Sequence, residues 1–340
     1  MEGSVGGRLY SPHLQLSSFG KIERNGLVIF TVTLNPAVDK ILFLGQFQKS
    51  RTNRLTRTLE TIGGKGTHVF LNLKIMGVKS TALGIALGEN GKKIVSMLGD
   101  CGEAVQILHY DLPGMESRTN YEIVEDSNHN CSMLTERGPI LPRHITDDLL
   151  DQIRGLIKPG DMLVLTGDAS NVEDTSIYSR LTAAANALGA RVFLDASGHY
   201  LKEGLDSRPF LIKPNIEELS FIAGRDLTTE ADILAAMQAL DEFNIPMIAM
   251  TRGWIGSIIK NGRDLFKVNP IKVQAVNEAG CGDAFLSAMI AGTEKNMSIL
   301  ETLKLAAAVA AAAAECESTV GFDPARAEEL KKQAEVVKIG

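Results

Sequence analysis

The chain has 340 residues, 44% of them hydrophobic and 22% charged, so it is long and apolar enough for a full hydrophobic core. Lysine and arginine total 35 against 41 acidic residues, and this net charge of −6 argues against a nucleic-acid-binding surface, which needs a basic excess. No apolar run reaches the roughly 18 residues of a membrane span, and residues 1–20 lack the apolar segment of a secretory signal. We therefore expect a cytoplasmic protein with no nucleic-acid or membrane partner.

The cysteines and glycines set two further expectations. The four cysteines show no CxxC pairing and no nearby histidine at metal-ligand spacing, so neither a zinc site nor a disulfide framework is predicted. The 32 glycines slightly exceed average usage. Their placement, as scattered turns or as clusters, decides whether they indicate a binding site.

Residues 1–26 are rich in Gly and Ser without periodicity, and they predict a flexible leader before a single domain over 27–340. From Leu27 onward, apolar runs typical of strands alternate with stretches typical of helices. Strands are predicted over 27–34, 161–167, 191–197, 209–215, 246–253 and 257–262, with a hairpin-like stretch over 264–276, and helices over 69–77, 175–189, 216–223, 230–243 and 305–315. This alternation predicts an α/β fold, a doubly wound, mostly parallel sheet flanked by helices, with functional loops at the carboxyl ends of its strands.

Two stretches, 37–62 and 118–136, interrupt this alternation. Both alternate apolar and polar residues as strands do, with turn residues at 126–130, and we interpret them as β-ribbons that leave the main sheet. Together they predict a small β-sheet lid. Its open edges and apolar face would favour pairing with a second copy of the chain, so a homodimer through the lid is expected.

One glycine cluster, IGGKG (62–66), stands directly before a predicted helix. It is not a P-loop, because Leu59 and Gly66 occupy positions where that pattern needs a glycine and a hydroxyl residue. Taken alone, the cluster also fits a helix-starting turn with a solvated Lys65.

A second cluster, AGCGDAF (279–285), also precedes a predicted helix. It places the N–H groups of Gly280, Cys281 and Gly282 at a helix N-terminus, where the helix dipole favours an anion. Asp283 lies in the first turn, a position that suits a helix cap and equally a base beside a bound phosphate. The cluster therefore predicts an anion hole with an adjacent carboxylate.

The order and separation of these motifs resemble those of the PfkB branch of the ribokinase-like carbohydrate kinases, over residues 28–325. The matching motifs are TVTLNPAVD (31–39), TNR (52–54), IGGKG (62–66), SRTN (117–120), LDASG (194–198), LIKPNIEEL (211–219), TRGWIG (251–256), NEAGCGDAF (277–285) and STVGFD (318–323). Within the family, the chain is most similar to the 1-phosphofructokinase and tagatose-6-phosphate kinase group. The resemblance implies a ribokinase-like fold with a β-lid, ATP and Mg²⁺ as cofactors, and a sugar phosphate as the second substrate.

The resemblance also implies roles for the residues of phosphoryl transfer. Asp283 is expected to be the catalytic base that accepts the proton of the acceptor hydroxyl, and the N–H groups of residues 280–282 stabilise the transferring phosphoryl group. Asn215 and Glu218 resemble the pair that organises magnesium in the family. The nucleotide is expected to contact Lys213, Asn215, Thr251, Gly253 and Gly256.

On the acceptor side, the resemblance implies seven substrate-binding residues: Asp39, Gly63, Gly64, Lys65, His68, Arg118 and Asn120. Asp39 would bind sugar hydroxyls, and the glycines allow close approach because they lack Cβ. Arg118 with Asn120 matches the R-x-N of fructose-1-phosphate kinases, in which the arginine contacts the phosphate that the substrate already carries. A guanidinium group suits that task because it can bind phosphate oxygens in a bidentate manner.

Several positions depart from the family pattern. His68 replaces the usual asparagine that binds a sugar hydroxyl, and an imidazole differs from an amide in volume and tautomer. Asp168 introduces a negative charge near the cleft, which would be unfavourable beside a sugar phosphate unless it faces a cation. Cys281 replaces the usual Ala or Ser of the anion hole, and CSMLTERGP (131–139) replaces the usual polar lid segment. These departures leave the phosphoryl-transfer groups intact and leave the acceptor open.

The leading hypothesis is an ATP-dependent kinase that converts fructose 1-phosphate to fructose 1,6-bisphosphate, with Asp283 as base. An alternative keeps the chemistry and changes the acceptor to tagatose 6-phosphate, another sugar or a nucleoside. A second alternative is a regulatory protein that binds nucleotide or sugar without catalysis. The joint presence of Asp283, Asn215 and Glu218 argues against the regulator.

Overall fold

The computed structural model describes residues 14–24, 26–127 and 131–340. Its strands are β1 (Leu14–Phe19), β2 (Ile29–Thr33), β3 (Ala37–Leu44), β4 (Arg57–Gly63), β5 (Thr81–Leu87), β6 (Ala104–Tyr110), β7 (Arg118–Glu125), β8 (Cys131–Thr135), β9 (Met162–Thr166), β10 (Arg191–Asp195), β11 (Leu211–Ile212), β12 (Met247–Thr251), β13 (Ser257–Asn261), β14 (Asp264–Val268) and β15 (Val336–Lys338). Its α-helices are α1 (Lys65–Ile75), α2 (Gly88–Gly99), α3 (Arg143–Leu156), α4 (Ile177–Ala187), α5 (Gly198–Leu205), α6 (Ile216–Ala223), α7 (Glu230–Ala239), α8 (Cys281–Glu294), α9 (Ile299–Ala314) and α10 (Pro324–Lys331).

The main sheet has eleven strands in the order β1-β6-β5-β2-β9-β10-β11-β12-β13-β14-β15. From β6 to β12 all neighbours are parallel, and antiparallel pairs close the sheet at both ends. A separate four-stranded sheet has the order β4-β3-β7-β8. The predicted fold class, a mostly parallel α/β sheet flanked by helices with a second small sheet, is confirmed.

Helices cover both faces of the main sheet, so its central strands are buried on both sides. In β2, Phe30 and Val32 pack into a core with helices α3 to α7, whereas Ile29 packs into a second core with α1, α8, α9 and α10. The alanine-rich α9 lies in that second core beside α8, where its small side chains allow close packing. No helix among the residues described is both long and apolar enough to cross a bilayer.

The first strand corrects the prediction that residues 1–26 form a leader outside the fold. Residues 14–19 form β1, which pairs antiparallel with β6 from Leu14↔Tyr110 to Phe19↔Val105. Residues 1–13 of that predicted leader lie outside the described part of the chain. The hairpin-like stretch 264–276 is also shorter than expected, because strand structure in it ends at Val268.

Removal of β1 tests its contribution to stability. A chain that lacks residues 1–20 exposes the hydrogen-bonding edge of β6. It also loses the Phe19 ring, which packs against Gly99: a Cβ on Gly99 would lie 2.9 Å from Cγ of that ring. We expect its Tm to fall by several degrees relative to a control that lacks only residues 1–12. Thermal unfolding followed by circular dichroism makes the comparison, and equal Tm values would show that β1 contributes no stability.

Candidate active site

The site lies at the carboxyl edge of the parallel strands, where the ends of β2, β9, β10, β11 and β12 come together. The first turn of α1 lies directly on the end of β2, since a Cβ on Gly66 would lie 2.3 Å from the carbonyl oxygen of Val32. The N-terminus of α8 approaches the end of β11, because a Cβ on Gly282 would lie 3.4 Å from Lys213 Nζ. The two glycine clusters therefore meet at one edge of the sheet.

Asp195, the last residue of β10, is the buried centre of this edge. Lys213 Nζ lies 3.0 Å from its Oδ2, and Lys65 Nζ lies 3.8 Å from its Oδ1. Burial alone would raise the pKa of Asp195, but the charges of Lys213 and Lys65 lower it below its usual value. The charge of Asp195 in turn raises the pKa of Lys65 above its usual range. Asp195 and Lys65 are therefore both charged at neutral pH.

The predicted base, Asp283, lies in the first turn of α8 and is buried. Its Oδ2 lies 2.8 Å from Nδ1 of His68, a residue of α1. Burial alone would lower the pKa of His68, but the hydrogen bond to Asp283 and the charges of Asp283 and Asp39 raise it above 6.5. The other ring nitrogen, Nε2, is buried and has no hydrogen-bond partner among the described residues. His68 therefore combines a contact to the predicted base with a free polar atom.

The predicted anion hole at the start of α8 depends on its glycines. Gly280 caps the helix with φ of 79°, and a Cβ there would lie 1.8 Å from the carbonyl oxygen of Thr319, so only glycine fits. Cys281 begins the helix with its side chain half-buried. Burial, together with Glu278 and Asp283, raises the pKa of the Cys281 thiol to about 12. The thiol is therefore neutral at physiological pH, so it is a weak nucleophile.

The small sheet carries Asp39 and Asn120 on adjacent strands. The two residues are paired in register between β3 and β7, and Asn120 Nδ2 donates to Asp39 Oδ1 at 2.7 Å. Burial raises the pKa of Asp39, against the lowering effect of His68, Asn120 and Arg118. A Cβ on Gly63 would lie 2.0 Å from Asp39 Oδ1, so the carboxylate rests on the backbone of the first glycine cluster. Gly64, with φ of 108°, caps α1.

Arg118 begins β7 and joins the small sheet to the main domain. Its Nε donates to the carbonyl oxygen of Asn35, and one terminal nitrogen donates to that of Glu136, both at 3.2 Å. Burial lowers the pKa of Arg118, while the charges of Asp168, Asp39 and Glu136 act to raise it. Asp168, which the sequence made unfavourable unless it faced a cation, therefore acts electrostatically on Arg118.

In the region predicted to bind the nucleotide, Asn215 and Glu218 form a reciprocal capping box at the start of α6. Glu218 N–H donates to Asn215 Oδ1 at 2.8 Å, and Asn215 N–H donates to Glu218 Oε2 at 2.9 Å. The other carboxylate oxygen of Glu218 accepts from Ser197 Oγ at 2.7 Å. The pair therefore has a definite structural role, which the helix-start position explains without any ligand.

Thr251 ends β12 beside Asn215, to which it is joined by an isolated parallel bridge. The turn that follows is held by a hydrogen bond from Arg252 N–H to the carbonyl oxygen of Gly256 at 2.9 Å. Gly253 and Gly256 both have positive φ, and a Cβ on Gly256 would lie 2.2 Å from the carbonyl oxygen of Val268. This turn needs its glycines for its backbone conformation.

The structure thus groups the predicted residues into two neighbouring sets. Contacts or charges directly connect Asp39, His68, Asn120, Arg118 and Asp283, and Asp195 connects Lys65 to Lys213. The described contacts do not join the 253–256 turn to Asp283. The sequence analysis assigned no role to Asp195, Ser197, Glu122 or Asn277. A signal was available for Asp195, which is the charged residue at the end of a buried apolar strand.

Comparison with known proteins identifies the family. The model of the pfkB family of carbohydrate kinases matches residues 29–326. A tagatose-6-phosphate kinase of Staphylococcus epidermidis is 29% identical over 315 residues, which cover 92% of this chain and 100% of that protein.

Solved structures share the fold. Phosphofructokinase-2 of Escherichia coli, in complex with potassium, has a TM-score of 0.85 at 24% identity, over 91% of this chain and 99% of that one. A Thermotoga maritima protein described as a possible 1-phosphofructokinase has a TM-score of 0.82 at 23% identity, over 92% and 100% of the two chains. The family match confirms the resemblance found in the motifs, and the chain belongs to the pfkB family of carbohydrate kinases.

Proposed function

We propose that this carbohydrate kinase transfers the γ-phosphoryl group of ATP to a hydroxymethyl group of a ketohexose monophosphate, with fructose 1-phosphate as the leading acceptor. The observation that carries the proposal is the position of Asp283. Its buried carboxylate lies in the first turn of α8, directly after the anion hole and in contact with the acceptor-side residue His68. A base and an oxyanion site are thereby adjacent, as transfer to an alcohol requires.

The acceptor hydroxyl would lie against Asp283, which takes its proton as the oxygen attacks phosphorus. Asp39, Asn120 and His68 offer buried polar atoms for the other sugar hydroxyls, and two of these atoms, Asn120 Oδ1 and His68 Nε2, have no partner within the described structure. A ligand that supplies hydroxyl groups would satisfy them. This arrangement favours a polyhydroxylated acceptor.

The γ-phosphoryl group would pass over the N-terminus of α8. The N–H groups of residues 280–282 and the ammonium of Lys213 provide positive potential there, and Asp195 fixes that ammonium. Fixed donors of this kind need no reorganisation during transfer, which is the main catalytic contribution in phosphoryl-transfer enzymes.

Asn215 and Glu218 fit a role in holding Mg²⁺. Both present oxygen donors, which this cation prefers, and each carboxylate oxygen keeps lone pairs beyond the hydrogen bond that it already accepts. Magnesium bound with ATP would neutralise phosphate charge. Thr251 and the 253–256 turn would contact the nucleotide, and a cytoplasmic homodimer paired through the small sheet stays a prediction.

Two acceptors deserve direct comparison because both would give a ketohexose 1,6-bisphosphate. Fructose 1-phosphate is supported by the R-x-N motif at Arg118 and Asn120. Tagatose 6-phosphate is supported by the name of the Staphylococcus epidermidis relative. In either case Arg118 is the proposed ligand of the phosphate already present on the sugar.

The reaction is tested by ADP release from MgATP with fructose 1-phosphate, tagatose 6-phosphate, fructose 6-phosphate, free hexoses and nucleosides. We expect turnover with a ketohexose monophosphate and loss of about 10²–10⁴-fold in kcat for Asp283→Asn, which keeps the shape but removes the base. ATP binding measured by calorimetry is the control and should be retained. Undiminished turnover in Asp283→Asn would remove the assigned base, and no turnover with any acceptor would refute the kinase proposal.

Arg118→Ala tests the phosphate ligand. Loss of a charge-assisted contact should raise KM for the phosphorylated ketohexose by about 10- to 100-fold. KM for unphosphorylated fructose, if it is turned over, should change much less. Arg118→Lys keeps the charge but not the planar fork, so its KM for the phosphorylated ketohexose should lie between those of the wild type and Arg118→Ala. An equal rise of KM for both acceptors would show that Arg118 acts only through the small sheet.

The raised pKa of His68 predicts that kcat depends on pH above pH 6.5. In its protonated form, the imidazolium makes a charge-assisted hydrogen bond to Asp283 Oδ2, which leaves that oxygen less available to the acceptor hydroxyl. We therefore expect kcat to rise as pH increases through the raised pKa of His68, and His68→Asn to lack this limb because an amide does not titrate. Rate profiles between pH 5.5 and 9 make the test, for which buffers are matched in ionic strength.

The ligand-free protein gives an independent measurement of the same pair. A folded-state pKa raised above the unfolded value adds stability below pH 6.5 that is lost as pH rises through the folded pKa. The free energy of unfolding of the wild type should therefore exceed that of His68→Asn by less as pH rises from 6.5 through the folded-state pKa of His68. A difference in unfolding free energy that does not vary with pH would contradict the assignment.

A further inference from the structure

A buried carboxylate on β7 has no part in the site described so far. Alternate residues of this strand share one face, so Glu122 lies on the same face as Arg118 and Asn120. Glu122 is only 2% exposed. Its Oε1 accepts a hydrogen bond from Asn277 Nδ2 at 2.7 Å and another from Cys131 Sγ at 2.9 Å. The contact to Asn277 joins the small sheet to the loop before α8.

Both polar atoms of the Asn277 side chain form hydrogen bonds that hold this loop. Its Nδ2 also donates to the carbonyl oxygen of Glu317 at 3.2 Å, and its Oδ1 accepts from the N–H of Ala279 at 2.8 Å. The next residue, Gly280, is the N-cap of α8. One side chain therefore ties the turn that leads into the anion hole to a strand of the small sheet.

Packing alone does not account for Glu122. Burial raises its pKa, although the hydrogen bonds from Cys131 and Asn277 oppose the shift. Its second oxygen, Oε2, has no hydrogen-bond partner among the residues described. A buried polar group with an unsatisfied atom is destabilising, and an apolar side chain at this strand position would avoid that cost. Asp39 and His68 also act electrostatically on Glu122, and Glu122 lies two residues along β7 from Asn120, the register partner of Asp39.

We propose that Glu122 is a positioning residue for phosphoryl transfer, which acts through Asn277 to hold the 277–280 turn and thereby the anion-hole amides. The inference rests on the proposed kinase function. Strand β7 of the small sheet then has two roles. It carries Arg118 and Asn120 toward the acceptor, and through Glu122 it holds the amides that receive the phosphoryl group. Acceptor binding and anion-hole geometry then depend on one strand.

The test compares Glu122→Ala, Asn277→Ala and the double variant by steady-state kinetics. Each single change frees the turn, so we expect kcat to fall by about tenfold or more while KM for the acceptor changes little. The double variant should lose no more than the worse single variant, because both changes remove the same contact. Additive losses, or a rise of acceptor KM with unchanged kcat, would overturn the proposal, and the latter result would make Glu122 a sugar ligand.

Two matched variants separate positioning from folding. Glu122→Gln keeps a carbonyl oxygen for Asn277 Nδ2, so kcat should stay within about threefold of the wild type. Cys131→Ala removes the other hydrogen bond to the same Oε1 atom and leaves the loop contact, so kcat should be unchanged. A loss in Cys131→Ala as large as that in Glu122→Ala would contradict a role through Asn277.

Hydrogen exchange gives a readout that needs no turnover. Mass spectrometry of peptides that cover 277–283 should show faster amide exchange in Glu122→Ala and Asn277→Ala than in the wild type, Glu122→Gln or Cys131→Ala. Equal exchange in all variants would overturn the coupling even if the kinase is active. Faster exchange in a protein without turnover on any acceptor would uphold the coupling and refute the proposed function instead.

Discussion

The buried ion pair of Asp195 with Lys213, with Lys65 nearby, is the interaction on which the arrangement of the site depends. Removing one partner of a buried pair leaves an uncompensated charge, at a cost of about 3–5 kcal/mol. Asp195 ends a central strand, whereas Lys213 follows the next strand and Lys65 begins α1. These contacts therefore fix the segment after β11 and the start of α1 relative to the same point of the sheet.

Two further buried carboxylates lie in the candidate site, and each has a different hydrogen-bond partner. Asp283 contacts His68, and Asp39 accepts a hydrogen bond from Asn120. Both partners leave one polar atom unsatisfied in the described structure. The protein thus retains unfulfilled hydrogen-bonding capacity at the place where the proposed sugar would supply it, which is a stability cost that ligand binding can offset.

Much of this could be predicted from the sequence, because local signals coincided with the fold. The capping box from Asn215 to Glu218 predicts a helix start, and α6 spans Ile216–Ala223 as expected. In contrast, the sequence analysis named no element over 81–110. Strand β5 is buried on both faces and shows no alternation, and α2 contains Gly88, Gly91 and Gly99, which are poor helix formers. Strand β1 was missed because its pairing with β6 is set by distant residues, and the contacts of Glu122 with Asn277 and of His68 with Asp283 are likewise nonlocal.

The parallel pairing of β3 with β7 has a consequence for how such an enzyme can change. Eight consecutive pairs, from Ala37↔Arg118 to Leu44↔Glu125, keep Asp39 opposite Asn120. Inserting one residue within either strand would turn every following side chain to the opposite face. Insertions in the connection 45–56 would leave that alternation intact. Evolution can therefore lengthen the rim of the small sheet freely, while its inner face accepts change only by replacing one side chain at a time.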